Sequence, residues 1–312
     1  MAGKAESSER TAGKGGNRGG ALRSEPGLRT VREGFVDVDG VRTHYLAAGD
    51  GPPVVLLHSG EFGGCAELSW EHALPALAQR YRVVAPDWLG FGLTDKLHDF
   101  GGAQSRRVRH LTRFLETVGI HRAAFVGNSM GGSTLARVAA ADRPEWPIAA
   151  LVLASAGGFV PDNEARRTTL AYDGSAESMR AMLRVFFHDP AWAEDDAYVE
   201  RRRRWSLVPG AWECCAAARL RGPAAADRGH FGQPDETAYE KIDAPTLLIA
   251  GANDPLREPG YAHRLHERIA GSELGVYERC GHMPNLEHAE RFNKDVLAFL
   301  DRHYTAEGGS GL

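Results

Sequence analysis

Val126-Gly-Asn-Ser-Met-Gly-Gly-Ser133 sets a serine among glycines, directly after the apolar run Ala123-Ala-Phe-Val126 and directly before Thr134-Leu-Ala-Arg-Val-Ala-Ala140. The first run suits a buried strand, and the second has helical period. Gly127-Asn-Ser129-Met-Gly131 thus carries the G-x-S-x-G pattern in a strand-turn-helix setting. In that setting the serine is forced onto a strained bend, its glycine neighbours let other backbone pass close by, and its hydroxyl stands at the carboxyl edge of the sheet. As a bare string the pattern is common; the setting makes Ser129 a candidate nucleophile.

A serine nucleophile needs a base, and the base needs a group to orient it. After the apolar run Thr246-Leu-Leu-Ile-Ala250, the loop Gly251-Ala-Asn-Asp254-Pro offers a carboxylate at a strand end. Further on, Val276-Tyr-Glu-Arg-Cys-Gly-His282-Met-Pro leads from another strand into a glycine turn that bears a histidine. The chain order Ser129, Asp254, His282 is that of a hydrolase triad. Thirteen histidines make any single one weak on its own, and context selects His282; Glu258 is a less well placed alternative to Asp254. Two backbone N–H groups must also face the developing oxyanion. Met130, at the helix start, supplies one, and the loop His58-Ser-Gly60-Glu-Phe-Gly-Gly64 supplies the other, with Gly60 favoured.

The remaining apolar runs place this constellation in a fold. Val54-Val-Leu-Leu, Tyr81-Arg-Val-Val-Ala and Ala149-Ala-Leu-Val-Leu-Ala read as central strands buried on both faces, and Phe35 to Ala47 reads as a hairpin turning at Asp39-Gly40. Helical patterns fall at Leu68 to Gln79, Arg106 to Val118, Met130 to Ala141 and Ala289 to His303. The alternation implies an α/β fold with a mostly parallel central sheet flanked by helices. It lapses at residues 158–240, where Ser178 to Phe187 and Tyr198 to Trp205 are helical in period, so an inserted helical cap is expected between core segments 31–157 and 241–305. Residues 1–30, rich in Gly, Ser, Lys and Arg, are expected to form a disordered tail, and 306–312 a flexible C-terminus.

Composition narrows the classes of function. A net charge of −4 with both signs interspersed gives no basic field for nucleic acid, and no apolar run reaches a membrane span. Cys65, Cys214, Cys215 and Cys280 have neither disulfide-scaffold density nor metal-clip spacing, which fits a reduced cytoplasmic setting with no metal. No cofactor motif is present, so the expected partner is a small-molecule substrate; a homo-oligomer is left open.

With these residues placed, residues 34–304 resemble the α/β-hydrolase superfamily. Within it the chain resembles the meta-cleavage product hydrolases, which break a carbon-carbon bond in ring-fission products of aromatic catabolism. The resemblance is carried by Gly127-Asn-Ser-Met-Gly-Gly, Leu151-Val-Leu-Ala-Ser-Ala-Gly-Gly, Met182-Leu-Arg-Val-Phe-Phe-His-Asp-Pro and Cys280-Gly-His-Met-Pro-Asn-Leu-Glu-His-Ala-Glu-Arg-Phe-Asn. It implies that Asn128 and a cap arginine, matched here to Arg201 at the head of Arg201-Arg-Arg-Arg204, hold the substrate's carboxylate and dienol oxygen. Phe186 and Met283 are expected to line the substrate pocket. Ser129 argues against the haloalkane dehalogenases and epoxide hydrolases, which use an aspartate at the elbow.

The chain departs from the family's pattern at Ser59, Glu61, Phe62, Glu67 and Ser69, and Met283 replaces an aromatic residue after the histidine. A glutamate facing inward at this loop would repel a substrate carboxylate. Even with these departures, the resemblance favours a carbon-carbon bond hydrolase acting on a 2-hydroxy-6-oxo-hexa-2,4-dienoate. Second stands a carboxylesterase or lactonase using the same triad, and third a non-catalytic ligand-binding protein built on the same fold.

Overall fold

The computed structural model describes residues 31–99, 103–217 and 231–304. The expected N-terminal tail and C-terminal segment, and part of the expected cap, lie outside the described residues. The strands are β1 (Arg32–Val38), β2 (Val41–Ala48), β3 (Pro53–Leu57), β4 (Arg82–Pro86), β5 (Ala123–Asn128), β6 (Ile148–Ala154), β7 (Thr246–Gly251) and β8 (Glu273–Tyr277). They form one eight-stranded sheet in the order β1-β2-β4-β3-β5-β6-β7-β8. β2 runs antiparallel to β1 and β4, and the other pairs are parallel. The β1–β2 turn takes positive φ at both Asp39 (51°) and Gly40 (84°), the conformation that an Asp-Gly hairpin favours.

The helices are α1 (Ala66–Trp70), α2 (Ala73–Leu77), α3 (Ala103–Thr117), α4 (Met130–Ala139), α5 (Glu164–Leu170), α6 (Ala176–Phe186), α7 (Ala191–Glu194), α8 (Asp196–Ser206), α9 (Ala211–Ala217), α10 (Tyr261–Arg268), α11 (Pro284–Glu287) and α12 (Ala289–His303). The single helix read over Leu68 to Gln79 is instead two, α1 and α2, parted at Glu71 and His72. Pro75 explains the break: it has no N–H for the Glu71 carbonyl, and its ring crowds that carbonyl.

The unbroken apolar runs of the central strands follow from burial on both faces. Alternate residues divide between two cores: Val55, Leu57, Phe125, Leu151, Leu153 and Leu248 point to one. Val54, Leu56, Val126, Val152, Leu247 and Ile249 point to the other. α1, α2 and α12 cover the second face, with Trp70, Leu77, Phe292, Val296 and Phe299 buried against it. α3, α4 and α10 cover the first, joined by Met179, Met182, Leu183 and Phe186 of α6.

Between β6 and β7 the described chain is helical, from α5 to α9, with a short 3-10 turn at Tyr239–Lys241. Side chains start three of these helices. Asn163 accepts from the Arg166 N–H before α5, Ser175 from that of Ser178 before α6, and Asp195 from those of Ala197 and Tyr198 before α8. Among the described residues no helix is long and apolar enough to cross a membrane.

Candidate active site

Ser129 is the single residue between β5 and α4, and it has φ 52° and ψ −112°, a region an L-residue occupies only under constraint. The constraint comes from packing behind it. A side chain on Gly127 would put its Cβ 2.5 Å from the Gly132 backbone, and one on Gly131 would put it 2.2 Å from the Leu57 carbonyl. The turn thus presses against β3 and its own helix, and the Ser129 N–H is tied to the Ala154 carbonyl at the end of β6 (2.9 Å).

Two loops at the same edge of the sheet complete the constellation. Asp254, just beyond β7, accepts from the Leu256 N–H through Oδ1 (2.9 Å) and meets His282 Nδ1 through Oδ2 (2.7 Å). His282 Nε2 lies 2.8 Å from Ser129 Oγ. Asp254 and His282 are both buried. Burial alone would raise the Asp254 carboxyl, but His282, Arg257 and the Leu256 N–H together hold it below the ordinary carboxylate range. The chain Ser129–His282–Asp254 can therefore draw the hydroxyl proton onto the imidazole and steady the resulting charge. Glu258 pairs with Arg264 instead (3.1 Å).

Helix α6 meets these residues directly. The His282 N–H donates to the Phe186 carbonyl at the end of α6 (2.7 Å). The Phe186 ring stacks beside the imidazole, with centroids 6.1 Å apart and planes at 27°. Glu287 reinforces the junction: its two carboxylate oxygens accept from Gly281 N–H (2.6 Å) and Asp189 N–H (2.7 Å).

Ser129 and His282 open onto a cavity of about 700 Å³, whose wall also includes Gly60, Met130, Phe186, Met283, Glu61, Met182, Arg107, Arg166 and Arg257. That is room for a small organic substrate. Gly60 and Met130 are in contact across the cavity floor, for a Cβ on Gly60 would lie 2.5 Å from Met130 Sδ. His58 holds this loop in place. Its Nε2 accepts from the Trp88 N–H (3.0 Å), so Nδ1 carries the proton and donates to the Ser59 carbonyl (2.7 Å). Burial keeps its imidazole below its ordinary pKa.

Two residues expected to hold substrate are placed elsewhere. Asn128 is fully buried and absent from the cavity wall; its Nδ2 donates to the carbonyls of Ala154 (3.3 Å) and His282 (3.4 Å), joining β6 to the histidine turn. Arg201 turns to the outside of α8 and pairs with Glu71 (2.6 Å) and Glu67 (3.3 Å). Helix phase is the reason: Tyr198, Val199, Arg202 and Ser206 form the buried stripe of α8, and Arg201 lies about 100° away. Arg202 is the arginine directed inward. It is fully buried and donates through Nη2 to Glu61 Oε1 (2.7 Å). The four-residue steps from Tyr198 to Arg202 to Ser206 are the sequence signal that singles it out.

Arg257 was not apparent from sequence. It is buried and bonds the Ser155 carbonyl through Nε (3.1 Å) and Nη2 (2.7 Å) and the Gly157 carbonyl through Nη1 (3.0 Å), fastening the Asp254 loop to the end of β6.

Comparison with known proteins agrees with this architecture. Residues 26–295 match the model of the alpha/beta hydrolase family, and the chain belongs to that family. The chain is 34% identical over 284 residues (89% of this chain, 94% of the relative) to a 2-hydroxy-6-oxo-6-(2'-aminophenyl)hexa-2,4-dienoic acid hydrolase of Metapseudomonas resinovorans. It is 33% identical over 262 residues (84% and 91%) to a 2-hydroxymuconate semialdehyde hydrolase of Pseudomonas sp. (strain CF600). Among solved structures it is similar to the meta-cleavage product hydrolase from Pseudomonas fluorescens IP01, with a TM-score of 0.75 and 30% identity over 86% of this chain and 97% of that one.

Proposed function

We propose that this protein is a serine hydrolase that cleaves a carbon-carbon bond in a 2-hydroxy-6-oxo-hexa-2,4-dienoate-type meta-cleavage product. The observation that carries the reading is the Ser129–His282–Asp254 chain, with contacts of 2.8 and 2.7 Å, opening onto the cavity beneath the cap. The similarity to meta-cleavage product hydrolases supports the choice of bond.

In this mechanism the bound dienol first becomes its keto tautomer, which can accept an electron pair. Ser129 Oγ attacks the C6 ketone as its proton passes to His282 Nε2, and the oxyanion is met by the N–H groups of Gly60 and Met130. When the tetrahedral centre collapses, the C5–C6 bond breaks, its electron pair enters the keto fragment, and the imidazolium returns the proton there. The acyl group remains on Ser129. Water, activated by His282, then releases it as a carboxylic acid and restores the serine. Asp254 holds the imidazole in the required tautomer throughout.

Ester or lactone hydrolysis by the same residues is the second reading, favoured by the carboxylate of Glu61 on the cavity wall. The test is a parallel assay of a yellow 2-hydroxy-6-oxo-6-phenylhexa-2,4-dienoate and a short p-nitrophenyl ester, with fluorophosphonate labelling of Ser129. Rapid bleaching with weak esterase activity is expected. A stable dienoate beside a cleaved ester would replace the first reading with the second, and an unlabelled serine would remove both.

A further inference from the structure

With Asn128 off the cavity wall and Arg201 paired on the outside of α8, a substrate carboxylate needs another anchor, and α4 offers one. Met130, Ser133, Thr134 and Arg137 all stand on the cavity wall. They are the i, i+3, i+4 and i+7 positions of one helix face, so α4 lines the cavity for two turns, from the residue beside Ser129 outward. Thr134 is buried and Arg137 is exposed, so the far end of this face meets solvent.

Among the described residues Arg137 makes no hydrogen bond or ion pair. Asp235 feels its charge, but the two oxygens of that carboxylate accept from the hydroxyls of Thr237 (2.7 Å) and Tyr239 (2.6 Å). The two carboxylates on the cavity wall are matched by arginines off it, Asp99 by Arg106 (2.6 Å) and Glu61 by Arg202 (2.7 Å). Arg107, Arg166 and Arg257 also stand on the wall, bonded to the carbonyls of Leu89, Leu256 and Ser155, so the wall carries an excess of positive charge that favours an anion. The span suits a dienoate. Seven residues of helix separate Met130 from Arg137 by about 10 Å, and helical side chains lean back toward the N-terminus. An extended dienoate covers about 6 Å from C6 to its C1 carboxyl carbon, and the arginine side chain can bridge the rest. We propose that Arg137 is the specificity-determining residue of the outer part of this cavity, gripping a carboxylate of the substrate remote from the attacked carbonyl. A guanidinium fork suits that task because it can bond both oxygens.

The assignment rests on the hydrolase reading, and on carbon-carbon cleavage only for the choice of substrate. The test measures kcat/KM for 2-hydroxy-6-oxo-6-phenylhexa-2,4-dienoate, its C1 primary amide and 2-hydroxy-6-oxonona-2,4-dienedioate, which adds a carboxylate beyond C6. The wild type should favour the acid over the amide. Arg137→Gln should lower that ratio about fivefold, mainly through KM, the upper range for an ion pair open to solvent, and Arg137→Lys should retain most of it. A similar loss confined to the dienedioate would place the gripped carboxylate on the C6 substituent instead of at C1. Equal losses on acid, amide and dienedioate, or ratios unmoved in Arg137→Gln, overturn the proposal. If no dienoate bleaches while p-nitrophenyl esters are cleaved, carbon-carbon hydrolysis fails alone. The charge preference is then read from mono-p-nitrophenyl adipate against p-nitrophenyl hexanoate, and a ratio unmoved by Arg137→Gln overturns it. Calorimetric binding of the acid and amide to Ser129→Ala, with and without Arg137→Gln, gives the same comparison without turnover.

Discussion

The N–H of His282 donates to the carbonyl of Phe186 at 2.7 Å, so the end of α6 and the turn carrying the imidazole are held by one hydrogen bond. The contact is possible because Gly281 intervenes without a side chain. A Cβ there would lie 2.4 Å from the Phe186 oxygen and 2.9 Å from the His188 nitrogen. Both obstacles are backbone, so Gly281→Ala must move the histidine turn or the end of α6. The expected result is a loss of about 100-fold in kcat, the scale of a displacement near 1 Å, with Ser129 still present for labelling. Wild-type kcat in this variant would show that α6 does not position the imidazole.

The strained elbow makes a second prediction. Ser129→Ala and Ser129→Gly both lack the hydroxyl, and both should lose turnover. They differ in backbone freedom: at φ 52° and ψ −112° alanine bears the strain and glycine does not. Ser129→Gly should therefore exceed Ser129→Ala in stability by about 1–3 kcal/mol, measured by urea unfolding. Equal stabilities would mean that the turn is not strained.

What was legible in the sequence followed from local rules. Ser129, Asp254 and His282 each stand where an apolar strand meets a turn, and turn chemistry together with chain order is written in consecutive residues. The strands were legible because burial on both faces leaves unbroken apolar runs. What escaped depends on helix phase or on distant partners. Arg201 and Arg202 are the same residue type in a run of four, so periodicity on arginine alone could not orient them. Glu61 and Arg202 are 141 positions apart. The Phe186 carbonyl is backbone and has no residue signature, and Arg257 acts mainly on the carbonyls of Ser155 and Gly157. The resemblance assigns Asn128 to the substrate, whereas its buried amide joins two stretches of backbone.

The pairing of Arg202 with Glu61 is also a matter of stability. Both side chains are buried, at 0% and 5% exposure, so removing one leaves an uncompensated charge away from water. Arg202→Met should cost about 3–5 kcal/mol in urea unfolding. The double variant Arg202→Met with Glu61→Leu removes both charges and should recover most of that loss. A single variant as stable as the wild type would show that Glu61 finds another partner or a proton at little cost.

Asp254 sets the direction of the response to acid. Its folded-state carboxyl lies below the ordinary carboxylate range because His282, Arg257 and the Leu256 N–H outweigh the effect of burial. A depressed folded value means that the unfolded chain binds the proton more readily. The stabilising contribution is therefore complete above the unfolded value of about 4 and is lost as pH falls through the folded value. Glu61 and Asp87 are depressed as well and add to the same trend. Asp254→Asn carries no such carboxyl, so its stability deficit against the wild type should be largest near neutrality and shrink as pH drops below about 4. Urea midpoints of the two proteins from neutral to acid pH measure that difference. A constant deficit across the range would mean that Asp254 is held by its hydrogen bonds alone, with no net preference of the fold for its charge.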